Sequence, residues 1–126
     1  MSEVPTTGAY FQALNDKDQQ TFIACFTPNC EVYNPFGSAP YRGSADLPRL
    51  FADLTAPWET LLVIPKSAYR SGSRVAILWM AEGKGTGGQE TAFEGVNVFE
   101  LAEDGRIARL EAYWDARATM KQLDQD

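Results

Sequence analysis

The sequence contains no histidine. That excludes Ser-His-Asp and Cys-His catalysis within the chain, and every metal site built on imidazole. Cysteine is nearly as scarce: Cys25 and Cys30 stand alone. Two thiolates without histidine make a poor zinc site, so no metal is expected and the pair reads as reduced, buried thiols. No P-loop occurs, and the one formal GxGxxG match, residues 83–88, lies between two strand-like runs with no helix after it. It reads as a hairpin turn. No apolar run has the length of a membrane span, and the first ten residues lack the basic and apolar regions of a signal peptide. Both observations lead to the expectation of a cytoplasmic protein. Basic residues are outnumbered, 11 against 17 acidic, for a net charge of −6. That balance disfavours nucleic acid and anionic membranes as partners. Chemistry here falls to carboxylates, amides, tyrosines or lysines, and no cofactor is implied.

Against these absences stand 126 residues, 44% hydrophobic and 12% aromatic, enough for one domain, 1–126, around one core. Tyr10, Phe11 and Leu14 have helical spacing and predict a helix over about 7–14, with Thr6 or Thr7 as N-cap. Phe22, Ile23 and Phe26 predict a second over about 17–26, with Asn15-Asp16 breaking the first and capping the next. Thr27-Pro28-Asn29 ends that helix, and a strand follows from about residue 30. Ser44 is the expected cap of a third helix, with Asp46 in its first turn and Leu47, Leu50, Phe51 and Leu54 apolar. The pattern then changes to strands. One covers about 60–69, with Pro65 marking an edge or a bulge. Two more, at about 74–82 and 90–101, flank the glycine turn, and a last one runs over about 106–115 after the Asp104-Gly105 turn. The tail from Ala116 is weakly helical. Helices first, then antiparallel strands, is an α+β layer architecture.

Residues 31–51, EVYNPFGSAPYRGSADLPRLF, organise the rest. The strand breaks at Asn34-Pro35, because proline lacks a backbone donor and holds the residue before it extended. A polar side chain at a strand end, beside Phe36 and a forced turn, is placed to line a cavity. Asn-Pro also marks ordinary turns. Tyr10 carries the same choice, between a core ring with a backbone-bonded hydroxyl and a pocket group. Trp58, Trp79 and Trp114 are core or lining aromatics. Strand parity and turn geometry select Trp114 and Phe36 as lining, with Trp58 a further ligand-binding candidate.

Three segments resemble the ketosteroid isomerase branch of the nuclear transport factor 2-like, or SnoaL-like, superfamily: AYFQALNDKD at 9–18, EVYNPFGSAPYRG at 31–43, and the closing GVNVFELAEDGRIARLEAYW. The resemblance speaks to fold more than to activity, since this scaffold is reused for unrelated roles. It implies a cone: a curved antiparallel sheet packed on N-terminal helices, a cystatin-like roll, open at one end to a hydrophobic pocket. It also implies a homodimer through the outer face of the sheet. In the isomerases an Asp shuttles a proton while a Tyr and a protonated Asp hold the dienolate oxygen. Carried over by motif, the oxyanion tyrosine falls on Tyr10, the protonated aspartate on Asn97, and the basic aspartate on Asn34.

The two departures differ in consequence. At Asn97 an amide NH2 still donates a hydrogen bond, so an oxyanion hole with Tyr10 is coherent. At Asn34 a neutral amide cannot take a proton, and a positioned base is worth roughly 10²–10⁴-fold. Strand alternation puts Gly95, Asn97 and Phe99 on one face, with Glu94 and Glu100 on the other. On the last strand the matching face holds Ala108, Leu110, Ala112 and Trp114. Ala112 stands where relatives that open epoxides or cyclise polyketides carry an active Asp. Asp115 and Glu82 remain as possible substitute bases. The expected function is binding of a small apolar molecule through a carbonyl or phenol oxygen. The alternative is a steroid Δ-isomerase-like isomerase or lyase acting on a steroid- or polyketide-like carbonyl compound. A structural domain with a vestigial pocket is the third reading.

Overall fold

The computed structural model describes residues 5–124. The chain opens with α1 (Pro5–Asp16) and α2 (Gln19–Ala24), then β1 (Phe26–Tyr33), the two-residue β2 (Tyr41–Arg42) and α3 (Gly43–Thr55). β3 (Trp58–Ser71), β4 (Arg74–Gly85), β5 (Glu90–Leu101) and β6 (Ile107–Trp114) follow, and α4 (Ala116–Leu123) closes the described chain. The strands form a six-stranded sheet in the order β2-β1-β6-β5-β4-β3. Its pairings are antiparallel except for β1 with β6, which is parallel. This is the α+β arrangement expected, with one parallel seam added.

Alternation builds the inner face. β4 buries Val75, Ile77, Trp79 and Ala81, and β5 buries Gly95, Asn97, Phe99 and Leu101, while the residues between them are less buried or exposed. The helices cover that face, so a strand period of two meets a helix period near 3.6 in one core. At its centre the Tyr10 ring lies 5.1–6.1 Å from the rings of Phe11, Phe22, Phe26 and Phe99. Such ring pairs are worth about 0.5–1.5 kcal/mol each beyond the area they bury. Asn15 fixes α1 against the sheet edge by donating to Val63 O at 2.9 Å and accepting from Val63 N at 2.7 Å.

Several boundaries move. The second helix starts after Asp18, which caps it by accepting from Thr21 N at 3.1 Å, and it ends at Ala24. Phe26 is already in β1, buried and paired with Ile107, and the register then shifts before Glu31. Pro28, which has no N–H for a ladder, falls inside that irregularity. α3 begins one residue ahead of Ser44. Its first turn is closed by Asp46, whose Oδ2 accepts from Arg42 N at 2.8 Å. Thr6 lies inside α1 and donates to Gly105 O at 2.7 Å, so it ties the helix to the β5–β6 turn. Pro65 marks both an edge and a bulge: β3 ends the sheet, and its register shifts between Pro65 and Ser67.

Candidate functional site

Sheet and helices together enclose a cavity of about 70 Å³. α1 contributes Tyr10, β5 contributes Asn97 and Phe93, and β4 contributes Trp79. Trp58 of β3 and Trp114 of β6 complete an aromatic wall. Phe93 lies at its centre, stacked 5.4 Å from Trp58, tilted 5.4 Å from Trp114 and perpendicular to Trp79 at 5.7 Å. Asp53 of α3 and Met120 of α4 stand at the mouth.

Two indole–amide pairs set the polarity inside. Trp79 Nε1 donates to Asn97 Oδ1 at 2.9 Å. An indole nitrogen has only a hydrogen to give, so it fixes which end of the amide it meets. The Asn97 oxygen is thereby engaged, and its NH2 is left to face the Tyr10 hydroxyl, whose pKa it lowers. Tyr10 accepts in that contact and keeps its own O–H to donate. Burial drives the Tyr10 pKa far above its ordinary 10.0; the Asn97 bond offsets part of the rise and Cys25 adds a little to it. The phenol therefore stays neutral and donating at ordinary pH.

The second pair repeats the first. Trp114 Nε1 donates to Asn34 Oδ1 at 2.8 Å, and the Asn34 NH2 bonds no described residue. These two residues meet because β1 runs parallel to β6, with Val32 beside Leu110 and Tyr33 beside Glu111. The Asn34–Pro35 peptide that follows is cis. Both asparagines thus present NH2 groups, and no carbonyl, away from their indoles.

Glycine makes room for this. Trp79, Gly95 and Trp114 lie in one cross-strand row, from β4 through β5 to β6. A Cβ on Gly95 would come within 2.5 Å of both the Trp79 ring and Tyr113 O, and within 2.9 Å of Trp114 Cβ. Gly83 does the same for Trp58, whose ring would lie 2.5 Å from an added Cβ. The bulky residues fit because their neighbours have no side chain.

The structure brings Tyr10, Asn34, Asn97, Trp58 and Trp114 to this cavity. It does not bring Phe36, which is 49% exposed and stacks on Tyr113 at 5.3 Å. Phe36 N bonds Ala112 O at 2.7 Å, and its ring follows the outward parity of Tyr113. Ala112 is buried opposite Asn97 in the register but is not among the lining residues. Asp115 caps α4, accepting from Ala118 N at 3.0 Å, and does not line the cavity. Glu82 is exposed on the opposite face of β4, in a wide trough with Thr60, Leu62 and Lys84. Neither substitute carboxylate reaches the space between Tyr10, Asn34 and Asn97. Sequence reasoning missed Phe93, whose parity with Asn97 was available, and Asp53, which no spacing signalled. Among the described residues no three metal-ligating side chains converge.

The sequence matches the model of the SnoaL-like domain over residues 8–110, and the chain belongs to that family. Solved structures share its nuclear transport factor 2-like fold. A candidate SnoaL-like polyketide cyclase from a Jannaschia species is 18% identical, with a TM-score of 0.86 over 100% of this chain and 97% of that one. The Δ5-3-ketosteroid isomerase of a Mycobacterium species is 23% identical, with a TM-score of 0.76 over 91% and 94%. A Mycobacterium tuberculosis protein in complex with estradiol-17β-hemisuccinate is 16% identical, with a TM-score of 0.77 over 90% and 93%. At these identities the likeness establishes fold alone. No curated protein matches the chain.

Proposed function

We propose that the cavity binds a small, largely apolar molecule by one carbonyl or phenol oxygen, with Tyr10, Asn97 and Asn34 as donors. One observation carries this reading: both amide oxygens are taken by indole N–H groups, which leaves a donor-rich inner end. Donors fixed before a ligand arrives need little reorganisation to stabilise an oxygen that carries partial or full negative charge. Ordinary ligand pockets hold about 300–1,000 Å³. A cavity of about 70 Å³ accommodates the oxygen and the atoms next to it, with the rest of the ligand in the mouth. A simple phenol, titrated against tryptophan fluorescence, tests the reading. Tyr10→Phe should weaken binding by about 0.5–1.5 kcal/mol, the net worth of one hydrogen bond. Equal binding by both proteins sinks the proposal.

The placing of Glu82 and Asp115 supports binding over isomerisation. An isomerase or lyase acting on a steroid- or polyketide-like carbonyl compound needs a base, and Asn34 is none. On a 3-oxo-Δ5-steroid we expect little or no formation of the conjugated enone by the natural protein. Asn34→Asp, which puts a carboxylate beside the same donors, should raise it by up to about 10²–10⁴-fold. Strong activity before the substitution would favour the enzyme reading.

We propose also that two copies associate through the outer face of the sheet. Exposed Leu62, Ile64, Leu78, Met80 and Tyr113 on that face support it. A strict monomer in sedimentation at micromolar concentration would remove it. Buried, unpaired Cys25 and Cys30 support a reducing compartment such as the cytoplasm. No described helix is long and apolar enough to cross a membrane.

A further inference from the structure

Donors fill the inner end of the cavity, and an acceptor stands at its mouth. Asp53 of α3 is the one carboxylate among the described residues that line it. Its Oδ2 accepts from the Tyr41 hydroxyl at 2.6 Å, the short length of a charge-assisted O–H···O⁻ bond. Its Oδ1 takes no hydrogen bond from a described residue, and Asp53 forms no ion pair with one. Tyr41 is held in turn. Its ring packs against the core, and the Arg49 guanidinium lies 4.5 Å from the ring centroid. Arg49 itself reaches Asp46 at 3.5 Å. Burial, then the bond to Asp53 and its charge, push the Tyr41 phenol up to about 12, with Arg49 pulling the other way. Tyr41 therefore remains a donor at ordinary pH and orients one carboxylate oxygen while the other is left open.

We propose that Asp53 is a specificity residue for a ligand hydroxyl, so that the ligand is an oxygenated apolar molecule with an accepting oxygen at one end and a donating hydroxyl at the other. The accepting oxygen meets Tyr10, Asn97 and Asn34, and the hydroxyl donates to Asp53 Oδ1. This rests on the reading of the inner cavity as a carbonyl or phenol site. Recognition suits Asp53, because the Tyr41 bond fixes one carboxylate oxygen and leaves the other to accept. Tyr41 is then a positioning residue, acting through Asp53.

Three small ketones test this: 4-hydroxycyclohexanone, its 4-methoxy ether, which accepts but cannot donate, and cyclohexanone. Affinities are read by tryptophan fluorescence on the full chain, with circular dichroism to verify folding of each variant. The hydroxyketone should bind about tenfold more tightly than the ether, the lower end for a hydrogen bond to a charged group. Asp53→Ala should bring that ratio to about one, and Tyr41→Phe, which keeps the carboxylate but not its brace, should leave it in between. Equal affinities in the natural protein, or a preference that survives Asp53→Ala, overturns the role of Asp53. If the ketones bind and Tyr10→Phe weakens them while Asp53 has no effect, only this inference fails. If none binds, or Tyr10→Phe changes nothing, the inner-site reading fails and this inference with it.

Discussion

The Asn97–Trp79 pair and the Asn34–Trp114 pair use the same donor and the same acceptor, at 2.9 and 2.8 Å. Their surroundings differ. Asn97 and Trp79 are 3% and 6% exposed, in the middle of adjacent antiparallel strands, and the amide also holds Tyr10. Asn34 and Trp114 are half-buried at the ends of two parallel strands, and that amide has one described partner. Water replaces a lost partner more readily at the second site than at the first. One hydrogen bond therefore has two different worths, set by depth rather than by geometry.

Removing the deep amide should give the largest effect. Asn97→Leu strands the Trp79 N–H and the Tyr10 hydroxyl together. At about 1–3 kcal/mol for each unsatisfied buried group, the loss should be about 2–6 kcal/mol by urea denaturation. A loss under about 1 kcal/mol would mean that water enters the inner cavity and that the two pairs are alike.

Alkaline titration sharpens the contrast. Tyr10 has its pKa raised in the fold, chiefly by burial, so the folded state holds its proton longer than the unfolded chain does. Its contribution to stability is complete below its ordinary value of 10.0 and is lost as pH rises beyond that. Cys25, pushed by burial from 9.0 to about 11, loses its own contribution earlier, as pH rises from 9.0 toward about 11. Tyr10→Phe should flatten the fall in melting temperature above pH 10, and Asn34→Leu should not. An unchanged alkaline limb in Tyr10→Phe would show that the phenol is hydrated.

The smallest effect belongs to the shallower pair. Asn34→Leu leaves only the Trp114 N–H without its partner, at a position water reaches, and should cost about 1 kcal/mol or less. A cost equal to that of Asn97→Leu would remove the distinction between the two sites.

The distinction also marks what could be read from the sequence. Period puts Tyr10 on a helix face and Asn97 on a strand face, the family resemblance singles them out as site residues, and the α+β order follows from where the period changes. The partners of the amides do not. Trp79 reaches Asn97 across a strand pair, and Trp114 lies 80 residues from Asn34, joined to it by a parallel seam that hairpin reasoning does not produce. Phe36 misled because alternation cannot be carried through a proline turn. Asp53 was invisible for a different reason: between Leu50 and Leu54 it looks like any polar residue on the rim of an amphipathic helix, and only the tertiary partner Tyr41 singles it out. Ser44 is not the cap of α3 because the helix begins before it, with Arg42 at the N-cap position and Asp46 reaching back to the Arg42 N–H.

The cross-strand row of Trp79, Gly95 and Trp114 has a practical consequence for anyone watching the molecule in solution. The chain holds three indole N–H groups, and each reports from a different station. The Trp79 proton senses the deep amide, the Trp114 proton senses the shallower one, and Trp58, stacked on Phe93 with no described partner for its nitrogen, reports from the aromatic wall. In a nitrogen-correlated NMR spectrum these side-chain signals lie apart from the backbone amides. A ligand whose oxygen meets both amides should move the Trp114 and Trp79 signals together, along one binding curve. A change confined to the outer sheet face should move neither. The two bonds that orient the amides therefore also make the native chain its own depth gauge, with no label attached.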